Sequence, residues 1–246
     1  MRLVKSTDPH FRRIRVAFAL IASLSTAQAG ELHGRVTARD GRPIEGVAIL
    51  SSGRIIQGFT TSAPDGSFRL SDAGALVVFH HRSFQPRLLR SEELTESAHV
   101  QLDVAGESTW RIKPCPHSSR GKAWIGRYLR FHPGQRYKGP VYGEHDEHWY
   151  IRRGKDTLHV SNGLYFLSLL PTGSAFTDSS SISVRAFVGS NISGLEFSGI
   201  STKGEYWRWA GAILHDAIEY STPNRKTAAI YDRIIATMCE ASTPAP

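Results

Sequence analysis

The segment Glu144-His145-Asp146-Glu147-His148 sets two imidazoles and three carboxylates side by side. Glu144, His145 and His148 are its candidate metal ligands, because imidazole nitrogen and carboxylate oxygen are the donors a zinc-like ion takes. The neighbouring Pro140 and Gly143 favour a loop whose side chains splay, so a solvated polar loop is the competing reading. The His-Glu-x-x-His spacing that would put two ligands one helical turn apart is missing.

A second constellation is Tyr206-Trp207-Arg208-Trp209, with Trp110, Trp124 and Trp149 as further aromatic residues. Aromatic faces stack on sugar rings or on a protein partner, and arginine adds directional donors. On a strand, Tyr206 and Arg208 face one way and Trp207 and Trp209 the other. One face must then be core, and the plainer reading is two buried tryptophans beneath an exposed Tyr206 and Arg208. A dispersed set, His215-Asp216 with Glu219, offers acid–base groups, but a general base needs a partner within hydrogen-bond reach. Gly189-Ser-Asn-Ile-Ser-Gly194 has the wrong spacing for a nucleophile elbow. The chain carries no phosphate loop or dinucleotide fingerprint, so no cofactor is expected. The two cysteines, Cys115 and Cys239, sit in no recognisable catalytic context and are expected to pair as a disulfide.

The elements that must position these residues are mostly strands. Leu32, Gly34, Val36 and Ala38 alternate with polar residues, and Asp40-Gly41-Arg42-Pro43 makes a turn. Ile44, Val47 and Ile49 resume the apolar pattern, and Arg54–Thr61 is a further strand. Asp65-Gly66 turns into Phe68 and Leu70; Ala75–Phe79 is a compact apolar run, Pro86 interrupts the next stretch, and Ala98–Val104 alternates again. Short strands separated by Gly and Pro turns indicate a sandwich or barrel. Farther on, residues 121–131, 158–160, 164–170, 181–188, 194–197 and 204–214 favour strands. Thr222-Pro223 supplies a helix cap and first-turn proline, and Ala228, Tyr231, Ile234, Ile235 and Met238 recur at helical spacing. Cys239 would end that helix, so a bridge to Cys115 would pin it to the sheet.

The motif Gly34-x-Val36, Gly41-x-Pro43-Ile44-x-Gly46-Val47-x-Ile49, then Thr60 or Thr61 ahead of Asp65-Gly66-x-Phe68-x-Leu70, and Phe84-x-Pro86, resembles the carboxypeptidase regulatory-like family. The likeness covers about residues 31–105, under half the chain. It implies a small transthyretin-like β-sandwich within a wider carbohydrate-binding-like fold group. It carries no catalytic residue, and implies a role in folding, spacing or partner binding. The expected fold class is therefore mainly β: a sandwich over 30–106, an α+β domain over 107–241 ending in an amphipathic helix, and a disordered tail at 242–246.

The first residues read as a secretory signal. Arg12, Arg13 and Arg15 precede the apolar run Val16–Leu24, and Ala27-Gln28-Ala29 fits signal-peptidase cleavage. The run is too short to cross a bilayer, so no membrane span is expected after cleavage. Residues 1–29 hold Arg2, Lys5, Arg12, Arg13 and Arg15 against Asp8, a net of +4, which leaves +4 of the chain's +8. The remaining basic residues are scattered, which argues against a nucleic-acid partner. The expectation is a secreted or periplasmic, non-catalytic binding or structural protein with an unknown protein or cell-envelope glycan partner. The alternatives are a carbohydrate-binding protein and an extracytoplasmic hydrolase whose metal or acid–base site lies in the second domain.

Overall fold

A computed structural model describes residues 30–52, 58–94, 97–106, 109–115, 129–130, 138–142, 146–163, 176, 179–212 and 216–240. The protein is mainly β. Strands β1 (Gly30–Ala38), β2 (Ala48–Ser52), β3 (Phe59–Thr61), β4 (Ser67–Ala73), β5 (Leu76–His80), β6 (Arg87–Arg90) and β7 (Ser97–Leu102) form two sheets, ordered β4-β1-β7 and β3-β2-β5-β6. Val36, Val47, Ile49, Phe68, Leu70, Val77, Phe79 and Val100 fill the space between them. Fully burying such a side chain stabilises by about 1.5–3 kcal/mol. Gly66, at φ +80°, makes the turn into β4, where a Cβ would lie 2.4 Å from the Val36 carbonyl oxygen. Gly34 matters for a different reason. Its strand runs parallel to β7, so close that a Cβ would meet the Ala98 oxygen at 2.0 Å.

The second unit is built on an eight-stranded sheet. Its strands are β8 (Trp110–Arg111), β10 (Lys138–Tyr142), β11 (Asp146–Arg153), β12 (Asp156–Gly163), β13 (Ser179–Val188), β14 (Ser193–Ser201), β15 (Tyr206–Ala212) and β16 (Ala217–Thr222). Their order is β10-β11-β12-β16-β15-β14-β13-β8. Helix α1 (Arg225–Ile235) lies on one face, with Ala228, Tyr231, Ile234 and Ile235 packed against Ile151, Leu158, Phe187, Ala210, Ile218 and Tyr220.

The helix starts later than the sequence suggests. Asn224 is the cap, its side chain accepting from the backbone N–H groups of Lys226 at 3.0 Å and Thr227 at 3.2 Å. Thr222 instead accepts from the Asn224 N–H, which fixes the approach to the cap. The chain then leaves the helix before Cys239, which belongs to a two-residue strand, β17 (Cys239–Glu240), paired with β9 (Leu129–Arg130). The expected bridge is present: Cys115 and Cys239 are joined, 124 residues apart in sequence. It therefore fastens β17 rather than the helix itself. Closing such a loop stabilises by about 4–5 kcal/mol in the chain-entropy account. The adjacent Glu240 carboxylate accepts from the Ser190 and Asn191 N–H groups, both at 2.6 Å, so the same corner also holds the β13–β14 turn.

The opposite face of the large sheet meets the first unit. Leu50 of β2 and Leu76 and Val78 of β5 form one apolar cluster with Leu195 and Phe197 of β14, Trp207 and Trp209 of β15, and Phe176 from the segment before β13. Both faces of the β3-β2-β5-β6 sheet are therefore covered at β5, whose five residues are all buried. That accounts for the unbroken apolar run, where a half-exposed strand would alternate.

Candidate functional site

The open part of the large sheet lies beyond that junction, where β11, β12 and β16 run side by side. Strand alternation sends Trp149 and Ile151 of β11 toward α1, and therefore sends His148 and Tyr150 to the other face. On β12, Leu158 and Val160 go to the helix side and His159 to the open side; on β16, Ile218 and Tyr220 leave Glu219 on the open side. Register then brings these residues together, with Tyr150 opposite His159 and His159 opposite Glu219.

The polar groups form a chain. His159 Nδ1 lies 3.1 Å from Glu219 Oε1, and His159 Nε2 lies 2.9 Å from His148 Nδ1. A carboxylate only accepts, so His159 carries a proton on Nδ1 and donates it to Glu219; in the neutral ring Nε2 is then bare and accepts from His148 Nδ1–H. The two imidazole centroids are 5.0 Å apart with 22° between planes, so the rings approach edge to edge in a nearly common plane. Tyr150 lies almost parallel to the His159 ring at 5.0 Å and 12°. The His159 and Glu219 side chains are 25% and 40% exposed, open enough for a ligand to reach.

The aromatic strand has a different surrounding. Trp207 and Trp209 are buried in the junction, 4% and 3% exposed, and the Trp207 indole N–H donates to Ser179 Oγ at 2.6 Å. Phe176 meets Trp207 and Phe197 edge-on, at 5.7 and 5.5 Å. Neither tryptophan presents a face for stacking a ligand. Tyr206 is half-buried against the helix-side core.

Arg208 corrects the expectation of an exposed guanidinium, for its side chain is only 13% exposed. It donates to Glu196 Oε2 at 2.7 Å and Asp232 Oδ1 at 3.0 Å; Arg185 binds the same Glu196 through two nitrogens, and the Tyr220 hydroxyl donates to Asp232. Burial opposes the Arg208 charge, but its bonds to Glu196 and Asp232 outweigh that and raise its pKa. Burial and then the bond to Asp232 push the Tyr220 phenol well up. This network ties four strands to α1, and of the Arg208 nitrogens only Nε is left without a partner among the described residues.

Of the proposed metal ligands, His148 sits on a strand rather than in a splayed loop, because β11 begins at Asp146. Glu144 and His145 lie outside the described residues, as do His215, Trp124, the leader and the tail. Among the described residues no group of three His, Cys, Asp or Glu side chains converges as a metal cage. Trp149 is buried on the helix side, and Trp110 packs edge-on to Phe187 with the Arg185 guanidinium 5.2 Å above its ring. Asp216 is buried. Sequence reasoning missed His159. Its only local signal was an imidazole at a polar position of an alternating strand; the pairing with His148 and Glu219 depends on register across three strands.

Fold and site together define a mainly β protein of two packed units, whose large sheet is covered by the sandwich at β14 and β15 and, among the described residues, is partly exposed on that face at β11, β12 and β16. No family model matches the chain, and no curated protein matches it.

Proposed function

We propose that this is an exported, non-catalytic binding or structural protein, in which a carboxypeptidase regulatory-like, transthyretin-like sandwich braces a sheet whose open part meets the partner. The observation that carries this reading is the division of the aromatic residues. Trp207 and Trp209 are used up in the junction, while Tyr150, beside His148 and His159, stays partly exposed on the same face. Recognition therefore falls to Tyr150, His148, His159 and Glu219 and not to the Tyr206–Trp209 strand.

Export is supported by the layout of residues 1–29 and by the Cys115–Cys239 bridge, a bond that persists in oxidising compartments. The first residue of the secreted or periplasmic product, read by intact-mass analysis, is expected to be Gly30. Retention of residues 1–29 on a cytosolic product overturns the export reading.

A cell-envelope glycan is the partner class with the most support, since a tyrosine ring beside hydrogen-bonding imidazoles suits a sugar's mixed apolar and hydroxyl surface. The test is a pulldown on envelope glycan with the mature protein. Tyr150→Ala is expected to cut retention about tenfold, in line with loss of one interface anchor, with the circular-dichroism spectrum unchanged. Retention that does not change removes the glycan reading. The Glu219–His159–His148 chain favours one second reading, an acid–base hydrolase; turnover of an envelope substrate that His159→Ala abolishes would put it in place of the first.

A further inference from the structure

We propose that His148 and His159 form a zinc site, with Glu219 as the positioning residue that holds His159 in its ligating form. The proposal goes beyond the binding reading above and needs neither export nor a glycan.

Three observations carry it. The first is distance. His148 Nδ1 and His159 Nε2 stand 2.9 Å apart, and an ion held at about 2.0–2.1 Å from each needs them to separate by only a few tenths of an ångström. The second is direction. Ring-nitrogen lone pairs lie in the ring plane, and these two rings share a plane to within 22°, edge to edge, so once the proton that His148 Nδ1 donates across this contact moves to His148 Nε2, a tilt of the rings turns both lone pairs onto one ion. A face-to-face stack would send them past each other.

The third is the tautomer. Metal-bound histidines as a rule donate their other ring N–H to a carboxylate or carbonyl, which fixes the ring and raises the ligand's basicity. His159 makes that bond, with Nδ1 3.1 Å from Glu219 Oε1, so Nε2 is left to ligate. Tyr150, nearly parallel to His159 at 5.0 Å, limits rotation of the ring. Imidazole donors suit zinc among the borderline divalent ions. Two protein ligands leave positions for water, so the site would be open to solvent and to a further ligand.

The experiment is isothermal titration of the full mature chain with Zn(II) alone, with histidine imidazole nitrogens followed by NMR. One equivalent is expected to bind, shifting His148 Nδ1 and His159 Nε2 while the Nδ1 proton of His159 persists. His148→Ala and His159→Ala are each expected to remove that equivalent, and Glu219→Gln to weaken it about 10- to 100-fold. His99→Ala, in the first unit beside Thr37, is expected to leave it unchanged. No saturable binding, or an equivalent that survives the double variant His148→Ala/His159→Ala, overturns the proposal. Should either single variant fail to fold, the wild-type nitrogens decide: zinc that shifts neither of the two overturns it equally.

Discussion

One face of the eight-stranded sheet is used in two ways, and a single cross-strand row shows both. Tyr150, His159, Glu219, Trp209, Phe197 and Val184 stand opposite one another in turn, from β11 to β13. The first three are polar or aromatic and partly exposed; Trp209 and Phe197 are buried beneath the sandwich, with Val184 packed against them. The change falls between Glu219 and Trp209, neighbours on adjacent strands. Backbone geometry is the same on both sides of that step, so the chemistry each half can hold depends on its cover. A carboxylate under the sandwich would have to give up water without a partner. A few ångströms farther along the sheet it keeps solvent on one oxygen side and His159 on the other.

The strongest way to break that contrast is to remove the ring at the step. Trp209→Ala leaves a cavity among Phe197, Leu195 and Leu50, all fully buried. It is expected to lower stability by about 3–5 kcal/mol, the usual range for a buried aromatic truncated to alanine. Urea unfolding followed by far-ultraviolet circular dichroism measures it. A loss below about 1 kcal/mol would mean that the junction contributes little to folding and that the two units hold separately.

The junction can also be probed by pH. His80 ends β5 on the same side as Leu76 and Val78, is 2% exposed, and has no hydrogen-bond partner for either ring nitrogen among the described residues. Burial, with the nearby His81 adding slightly, pushes its pKa down to about 4. His81 is itself lowered by burial and by Arg82. An unfolded His80 takes up its proton near pH 6.5, the folded one not until about pH 4. Between those values the unfolded chain binds more protons, so stability falls as pH drops through that window and is unaffected by His80 above it. The loss should approach about 3 kcal/mol by pH 4. His80→Leu is expected to flatten the profile of the urea midpoint between pH 7 and 4.5. An unchanged slope would show that His80 is not buried uncharged in the junction.

How far this division could be read from sequence depends on the range of the interactions. The alternation of Trp207 and Trp209 against Tyr206 and Arg208 was legible, because period two is local. That the Arg208 side is covered as well was not: its partners, Glu196 and Asp232, arrive from another strand and from the helix, 12 and 24 residues away. The same holds for the open half. Glu144–His148 drew notice because its residues are adjacent in sequence, yet His148 finds His159 only through the β11–β12 register, and Glu219 lies 60 residues beyond His159. The helix was legible from its spacing, but its start was misplaced by the attraction of Thr222-Pro223 as a capping pair, when Asn224 offers the better-placed acceptor.

The smallest expected effect is the one that sharpens the comparison most. If the open half serves a ligand and not the fold, deleting its central ring should cost the fold little. His159→Ala removes one partly exposed hydrogen bond to Glu219 and one imidazole–imidazole bond, which together are expected to change stability by less than about 1 kcal/mol. Set against Trp209→Ala, two positions along the same row, that gives at least a threefold difference between residues with similar backbone surroundings. Matched urea curves at pH 7.5, where His80 contributes no slope, measure it. A loss for His159→Ala as large as that for Trp209→Ala would mean that the imidazole chain holds the sheet together, and the open half would then be a polar part of the core instead of a surface kept for a partner.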